Sequence, residues 1–455
     1  MSPLARNIIE TLSRHGFEAY LVGGCVRDLL LGISPKDFDV ATSARPESIL
    51  ALFPDAQMVG AHFGVALISR NGESVEVATF RSDGHYLDGR HPETVQYETS
   101  PARDAMRRDF TINALFLNVQ NDEVLDFFGG RDDLKAGVIR AIGNAEERFR
   151  EDHLRMLRAV RFACRFGYTI DGVTMAAIQK LRSNILAISA ERIRDEMNRI
   201  LTEGGARRGL ELLDESGLLG VLLPEVKAMQ GVEQPPQFHP EGDVWIHTLM
   251  LLEGMQQPTV SLAWGVLLHD VAKPPTFTNT DRIRFNGHAE LGAKMTREIL
   301  GRFKMPAAEV EKIESLVLNH MRFKDAPNMK QSNLKRFLRI DGFEELLELH
   351  RLDCTSSNRR FGNYEFAKQK LAELGPEQLR PQRLVTGNDL NELGYQPGPL
   401  FRQILTALED GQLDGTVTTR EEALAFIDQR WPATASQAVS EDPSKSDKLH
   451  HGQKE

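Results

Sequence analysis

The sequence has little of several features that mark whole classes of protein. It contains three cysteines, far apart along 455 residues, so neither a disulfide framework nor a thiolate zinc site is expected and a reducing compartment is favoured. It has no apolar run near the roughly 18 residues of a membrane span, and its first residues lack the apolar segment of a secretory signal. The formal charge of −10 argues against a wholesale nucleic-acid coat, although local basic patches fit within it. We therefore expect a soluble, cytoplasmic protein with no membrane partner.

Length and pattern indicate several domains, because 455 residues exceed one ordinary core. Residues 1–145 mix helix and strand signals, including two strand-like runs joined by Asn-Gly, a strong hairpin signal. Residues 146–225 and 226–432 have helical patterns, and residues 433–455 lack large apolar side chains and are expected to be disordered. The predicted fold class is α+β: an α/β head with a small mixed sheet, then an all-helical neck and body.

Two aspartates stand one residue apart in "GISPKDFDVAT". Side chains two apart on a strand share a face, and like charges that close repel unless a cation or proton lies between them. Most isolated D-x-D pairs are solvated, so the surroundings decide. Just upstream, Gly24 lies at a strand-to-helix turn whose N–H groups suit a phosphate, and Arg27 can reach the same anion. Beside such a turn, Asp37 and Asp39 are predicted to bind Mg²⁺ and to be catalytic.

A longer string carries a family resemblance. "YLVGGCVRDLLLGISPKDFDVAT" resembles the head of the class II tRNA nucleotidyltransferases, the CCA-adding enzymes, and of the related bacterial poly(A) polymerases. "VATFRSDGHYLDGRHPETV", "MRRDFTINAL" and "EDHLRMLRAVRFACRFG" follow in the order of that family, so the resemblance closely covers residues 17–230. It implies a polymerase-β-like head that transfers CMP and AMP from CTP and ATP to the 3′ end of tRNA, with two Mg²⁺ ions on Asp37 and Asp39.

The charged segment after the head suggests a base-reading surface. On a helix, Asp152, Arg155 and Arg158 would lie three apart on one face, and an Asp beside an Arg offers acceptors and donors to a base edge. A surface salt bridge is the alternative that the residues alone leave open. The resemblance implies that Asp152 and Arg155 select CTP or ATP. It further implies three residues that hold the triphosphate or shape the pocket: Arg108, Arg158 and Arg161. Glu76 is left open between a third metal-facing carboxylate and a solvent-facing strand position.

A second constellation consists of histidines and aspartates in "HPEGDVWIHT", "LLHDVAKP", "FNGHAELGA", "LNHMRF" and "HRLDC". Imidazole and carboxylate ligands suit a divalent transition metal. The order H…HD…H…H…D resembles the HD superfamily of metal-dependent phosphohydrolases. The resemblance implies four core metal ligands: His247, His269, Asp270 and Asp353. It also implies that His288 and His320 bind a second metal or a phosphate. A scaffold without metal chemistry is the alternative.

Several functional alternatives stay open from the sequence. Among transferases they are a poly(A) polymerase and an enzyme limited to C or A addition, but "AHFGVALI" is closer to the Phe-Gly pattern of the CCA enzymes. A phosphohydrolase with a vestigial head and a noncatalytic RNA-binding protein are further classes, and the complete D-x-D speaks against both. The oligomeric state is not indicated. RNA contact could come from four basic positions, although such runs are more often solvated helix faces: Lys335, Arg336, Arg359 and Arg360.

Overall fold

The chain is described by a computed structural model that covers residues 2–59, 64–84, 94–237 and 239–432. The predicted disordered tail, and the middle of the "VATFRSDGHYLDGRHPETV" stretch, lie outside the described residues. The chain forms two compact units, Met1–His320 with Leu352–Arg359 and Met321–Arg351 with Arg360–Glu455. The boundaries predicted after residues 145, 225 and 432 stay predictions.

The first unit begins with a seven-stranded mixed sheet in the order β3-β4-β5-β2-β1-β8-β9. Its strands are β1 (Ala19–Val22), β2 (Phe38–Thr42), β3 (Gln57–Met58), β4 (Val65–Arg70), β5 (Glu73–Thr79), β8 (Leu115–Asn118) and β9 (Glu123–Asp126). All neighbours pair antiparallel except β2 and β5, which run parallel. Asn71 and Gly72 both have positive φ and close the β4–β5 hairpin, which confirms the Asn-Gly prediction.

Three shorter strand pairs accompany the sheet. They are β6 (Arg81–Asp83) with β7 (Val95–Tyr97), β10 (Val138–Ile139) with β11 (Thr169–Ile170), and β12 (Phe277–Asn279) with β13 (Ile283–Phe285).

Helix α1 (Pro3–Arg14) shows how sequence pattern builds the head. Ser2 caps it by accepting a hydrogen bond from the Ala5 N–H at 3.1 Å. Leu4, Ile8 and Leu12 recur at helical spacing and are buried in the core that also contains Leu21, Val40, Val75 and Val77 of the sheet. The alternation of β5, with Val75 and Val77 buried and Glu76 exposed, leaves one sheet face for polar groups.

The rest of the first unit is mainly helical. The remaining head helices are α2 (Gly24–Leu30), α3 (Pro46–Leu52), α4 (Pro101–Met106) and α5 (Gly130–Ala136). The later helices are α6 (Ala145–Glu151), α7 (Arg155–Phe166), α8 (Gly172–Leu181), α9 (Ala190–Thr202), α10 (Ala206–Glu215), α11 (Leu218–Leu222), α12 (Pro224–Lys227), α13 (Val244–Gly254), α14 (Val260–Leu268), α15 (Lys273–Thr276), α16 (His288–Arg302) and α17 (Ala307–Asn319). The α+β class, with a small-sheet head and a helical body, is confirmed.

One predicted helix is interrupted. The sequence predicted a single helix carrying Asp152, Arg155 and Arg158 on one face, but α6 ends at Glu151 and α7 starts at Arg155. Asp152 has extended backbone, with φ −143° and ψ 106°, and its Oδ1 accepts from the Leu154 N–H at 3.0 Å. The prediction was wrong because an aspartate side chain can take over a backbone hydrogen bond and break a helix.

The second unit contains α18 (Gln331–Leu338), the first part of α19 (Phe343–Ser356), α20 (Gly362–Glu373), α21 (Pro376–Leu379), α22 (Gly387–Glu392), α23 (Pro399–Asp414) and α24 (Arg420–Arg430). Its core includes Leu390, Ile404, Leu408 and Ile427 from α22, α23 and α24. Among the described residues, none of the helices combines the length and apolar character needed to cross a membrane.

Two of the candidate RNA-contacting residues bind other residues of the second unit. Lys335 is buried, and its Nζ donates to the Leu413 carbonyl at 2.7 Å. Arg336 is ion-paired with Glu409 at 2.8 Å and also with Asp410. Both side chains therefore have partners within the second unit, which the sequence pattern does not reveal, and their contact with RNA stays a prediction. Arg359 and Arg360 are exposed, and their contact with RNA stays a prediction.

Candidate functional site

Three carboxylates of the head sheet interact electrostatically. Asp37 immediately precedes β2, and the parallel register places Asp39 directly opposite Glu76 of β5. Burial raises the pKa of Asp39, Glu76 and Asp37 add to the rise, and Arg108 opposes it, for a value of about 6. A divalent cation would relieve this repulsion, and carboxylate oxygens are the ligands that Mg²⁺ prefers, so this donor set fits such an ion. Glu76, which the sequence left open, therefore belongs to the carboxylate cluster.

The Gly-Gly turn before α2 lies close to two guanidinium groups. Gly23 has φ +78°, and a Cβ built on it would lie 3.1 Å from Nη1 of Arg108. A Cβ on Gly24 would lie 3.6 Å from Nη2 of Arg27. Arg108 is held by Asp104, with Nη2 2.9 Å from Oδ2. The sequence-predicted Gly24, Arg27 and Arg108 are thus brought together.

Arg27 is more enclosed than the sequence suggests. Its side chain is buried, Nη2 lies 2.6 Å from Asp28 Oδ1, and Nη1 donates to Asn113 Oδ1 at 2.6 Å. The guanidinium carbon also lies 4.7 Å from the centre of the Phe166 ring. Asp28 therefore compensates the positive charge of Arg27 inside the head. A role of Arg27 in nucleotide binding stays a prediction.

The two residues predicted to read the base have separate partners. Asp152 Oδ2 lies 2.8 Å from Nη2 of Arg192. Arg155 is buried and donates to Glu151 Oε2 at 2.6 Å and to the Arg107 carbonyl at 3.0 Å. These contacts do not pair Asp152 with Arg155 directly, and the base-reading role of each stays a prediction.

Arg158 and Arg161 take part in buried ion pairs. Arg158 Nη2 lies 2.8 Å from Asp109 Oδ2, and Arg161 Nε donates to Glu196 Oε2 at 2.6 Å. Burial raises the pKa of Asp109, but Arg158 and Asn113 outweigh it and lower the value to about 2. These contacts join α7 to the head and to α9, which fits residues that shape a pocket. A direct contact of either arginine with triphosphate stays a prediction.

The histidine constellation forms a second cluster. His247 lies in α13, the His269–Asp270 pair directly follows α14, and Asp353 lies in α19. His288 starts α16 and His320 directly follows α17. The four histidines and Asp270 are buried. Their possible ligand atoms form two groups that share Asp270, and within each group the atoms lie within 4.8 Å of one another, close enough to bind one metal ion. One group contains His247, His269 and Asp270, and the other contains Asp270, His288 and His320.

Backbone carbonyls orient three of these rings. The Nδ1 atoms of His269, His288 and His320 lie 2.8, 2.7 and 2.6 Å from the carbonyl oxygens of Val266, Phe285 and Val317, each three residues earlier. A ring nitrogen bonded to a carbonyl carries the proton, which leaves Nε2 unprotonated and able to bind a metal. The three Nε2 atoms lie 3.1, 3.6 and 3.9 Å from the Asp270 carboxylate oxygens.

His247 is oriented differently, by side chains. Its Nδ1 lies 2.6 Å from Glu241 Oε1, and its Nε2 lies 3.2 Å from Asp353 Oδ1. Neither ring nitrogen of His247, nor Nε2 of His269, makes a hydrogen bond of good geometry among the described residues. Buried polar atoms without hydrogen bonds suit metal ligation, so the residues fit a divalent transition metal. Glu241 was missed by sequence reasoning, although it stands in the quoted "HPEGD".

The pKa values of His320 and His247 shift in opposite directions. Burial lowers the pKa of His320 to about 3, and His269 acts in the same direction, so this ring is neutral, as a ligand must be. Burial also lowers the pKa of His247, but Asp353 and Glu241 outweigh it and raise the value to about 9. A metal at His247 must therefore displace a proton.

Carboxylates beside a glycine turn and arginines on a small mixed sheet define the head as that of a nucleotidyltransferase. The family model "Poly A polymerase head domain" matches residues 19–140, "Probable RNA and SrmB- binding site of polymerase A" matches 167–230, and "HD domain" matches 243–346. The three models occur in the order that the motifs predicted.

Whole-chain comparisons identify the family. The CCA-adding enzyme of Geobacillus stearothermophilus is 32% identical over 92% of this chain and 95% of its own length. That of Oceanobacillus iheyensis is 47% identical over 43% of this chain and 49% of its own length. A crystal structure of the Bacillus stearothermophilus CCA-adding enzyme in complex with CTP matches with a TM-score of 0.71 and 29% identity, covering 94% of this chain and 98% of that one. The chain belongs to the family of CCA-adding enzymes, and the resemblance inferred from the motifs is confirmed.

Gly23→Ala is expected to destabilise the head and disturb nucleotide addition. Its φ of +78° and ψ of −130° lie in a region that suits glycine alone, and the new methyl group would press on Arg108. We expect a loss of about 1–3 kcal/mol in the free energy of unfolding. Chemical denaturation of the wild type and the variant measures this loss. Gly24→Ala is the matched control, since its new methyl group has room, and an equal loss in both variants would contradict the argument.

Proposed function

We propose that this chain adds CMP and AMP, from CTP and ATP, to the 3′ end of tRNA. The observation that carries the proposal is the parallel register that sets Asp39 opposite Glu76, with Asp37 beside them and Arg108 at the glycine turn. The names of the relatives support C and A as the added nucleotides. The related enzyme whose crystal structure contains CTP supports CTP as a substrate of this chain. A Thermotoga maritima CCA-adding enzyme complexed with tRNA_CCA, 22% identical with a TM-score of 0.56, shares the fold.

Different residues of the site have different roles in nucleotidyl transfer. Asp37 and Asp39, with Glu76, would hold Mg²⁺. When bound, Mg²⁺ supplies positive charge for the phosphates and favours ionisation of the attacking hydroxyl. The N–H groups of the glycine turn and Arg108 orient the triphosphate, so that the tRNA 3′-hydroxyl attacks the α-phosphate and pyrophosphate leaves. Asp152 faces the base. We propose that the reaction takes place in the head and that the protein acts in the cytoplasm.

A second function is favoured by the buried histidine cluster. His247, His269, Asp270 and Asp353 would hold a divalent transition metal, which supplies Lewis acidity toward a phosphoester. Asp270 also faces His288 and His320 through its other oxygen, so a second ion or a phosphate fits there. We therefore propose a metal-dependent phosphohydrolase in the helical body, separable from nucleotide addition.

Asp37→Ala and Asp39→Ala should each reduce nucleotide incorporation by about 100-fold or more, because a metal clamp contributes several kcal/mol to the transition state. Incorporation of labelled CTP and ATP into tRNA that ends before CCA measures the loss. Separate reactions with each nucleotide also distinguish CCA addition from A-only, C-only or poly(A) synthesis.

The control is Asp55→Ala, which removes an exposed head aspartate paired with Arg70 and should leave incorporation unchanged. Gel-shift affinity for tRNA should stay near wild type in both catalytic variants, since the RNA is held mainly elsewhere. Wild-type incorporation by either variant would exclude the carboxylate pair as the metal site.

Asp270→Ala should remove metal binding and phosphoester hydrolysis while CCA addition continues. Asp270 faces both histidine groups, so its loss removes a ligand from each. Elemental analysis gives metal per chain, and hydrolysis of 2′,3′-cyclic nucleotides and phosphomonoesters is assayed with Ni²⁺, Mn²⁺, Co²⁺ or Mg²⁺. Asp281→Ala, at an exposed position of the same unit, is the control. A wild-type protein without bound metal or hydrolysis under any ion would leave the cluster as a scaffold.

Glu241→Gln should weaken metal binding by about 10–100-fold, the usual effect of losing a carboxylate behind a ligating imidazole. The contact of 2.6 Å with His247 Nδ1 orients the ring, and the negative charge makes Nε2 a better donor. Titration of the metal-free protein with Ni²⁺, followed by calorimetry, measures the affinity. Unchanged affinity would show that the ring is oriented by packing alone.

A further inference from the structure

A third group of possible metal ligands lies at one end of the histidine cluster, and its first member, His239, has no role in the functions proposed above. The group consists of His239, Glu241 and His247, and one possible ligand atom from each lies within 4.8 Å of the others. The side chains of Glu241 and His247 are 4% and 0% exposed, whereas that of His239 is 19% exposed. The group therefore joins the buried cluster to a residue that solvent can reach.

The loop before α13 sets the geometry of this group. The Gln234 N–H donates to the Gly242 carbonyl at 2.9 Å, which closes the loop on itself. Inside the loop, the Gly242 N–H donates to the His239 carbonyl at 3.0 Å, and the φ of +80° at Gly242 suits glycine. This turn holds His239 and Glu241 beside His247, which lies in the first turn of α13.

One carboxylate oxygen of Glu241 contacts both rings of the group. Glu241 Oε1 lies 2.9 Å from His239 Nδ1 and 2.6 Å from His247 Nδ1, and the two ring centres are 4.7 Å apart. Among the described residues, Glu241 Oε2 is buried without a hydrogen-bond partner, and His247 Nδ1 makes no hydrogen bond of good geometry. Because most buried polar groups in folded proteins have good partners, these atoms point to a ligand.

The donor atoms select the chemical class of that ligand. Two imidazole nitrogens and one carboxylate oxygen suit a divalent transition metal ion such as Zn²⁺, Ni²⁺ or Co²⁺, whereas Mg²⁺ prefers oxygen ligands. The Glu241 carboxylate would repel an anion. On binding, the metal would take the place of protons on the two rings, and these protons would pass to solvent.

We infer that His239, Glu241 and His247 form an outer binding site for a divalent transition metal ion. The site shares His247 with the group that contains Asp270, because Nδ1 of the ring faces Glu241 and Nε2 faces Asp353. Since His239 is partly exposed, we expect the outer ion to exchange with solvent and to bind more weakly than an ion in the inner groups. Elemental analysis of dialysed protein then reports the inner groups, and titration detects the outer site.

Titration of the metal-free, full-length protein with Ni²⁺, followed by calorimetry, tests the outer site. The sequence also contains two adjacent histidines that could bind Ni²⁺, so every protein in the test carries His450→Ala and His451→Ala. Excess Mg²⁺ is present throughout to occupy the carboxylates of the head. We expect one tight binding event from the inner groups and one weaker event from the outer site. His239→Ala should abolish the weaker event and keep the tight one, because the inner groups do not contain His239.

Matched variants make the test specific. His15→Ala removes an exposed histidine of the head and should keep both binding events. Asp270→Ala should remove the tight event and keep the weaker one, because the outer site does not contain Asp270. Thermal unfolding of the metal-free proteins reports whether each variant folds. If His239→Ala fails to fold, His239→Gln removes the ring while keeping a polar side chain and decides the question.

Two outcomes would overturn the inference. One is a weaker event of unchanged size and affinity in a folded His239 variant, and the other is the absence of any weaker event in the protein that retains His239. By contrast, absence of the tight event beside a weaker event that depends on His239 would refute the metal site proposed for the phosphohydrolase and leave the outer site standing. The two failures are therefore distinguishable.

Discussion

The parallel pairing of β2 with β5 is the constraint on which the head site depends. All other neighbours in the seven-stranded sheet pair antiparallel. The parallel register sets Asp39 against Glu76, so two carboxylates on neighbouring strands repel each other unless a cation or a proton lies between them. Burial and this repulsion raise the pKa of Asp39 to about 6, while Arg108 beside the glycine turn opposes the rise. The sheet therefore holds these carboxylates near one another against their repulsion.

Two ion pairs of the first unit show how buried charge is compensated. Asp109 is paired with Arg158, and Glu196 with Arg161. In the histidine cluster, ring nitrogens of His247 and His269 contact carboxylates without a hydrogen bond of good geometry. Since most buried polar groups in folded proteins have good partners, these ring nitrogens suit a metal ion.

Much of the site was predictable because it is encoded locally. A glycine turn followed by a helix, a D-x-D at a strand start and histidines at element ends are patterns within a few residues, so Asp37, Asp39 and His269 with Asp270 could be proposed as site residues from the sequence. Glu76 was undecided because the partner strand of β2 is set by sheet topology. The partner of Lys335 was not predictable because its acceptor, the Leu413 carbonyl, lies far along the chain.

The sequence by itself determined the family, the α+β class and the order of head, helical neck and HD body, since these depend on motifs and on hydrophobic periodicity. Tertiary structure alone decided which groups meet. The break at Asp152 separates it from the Arg155 face and turns it toward Arg192, 40 residues later. Glu241 likewise reaches His247 through a loop that no periodicity predicts. The physical reason is that hydrogen bonds and ion pairs act over about 3 Å in space, and separation along the chain does not report that distance.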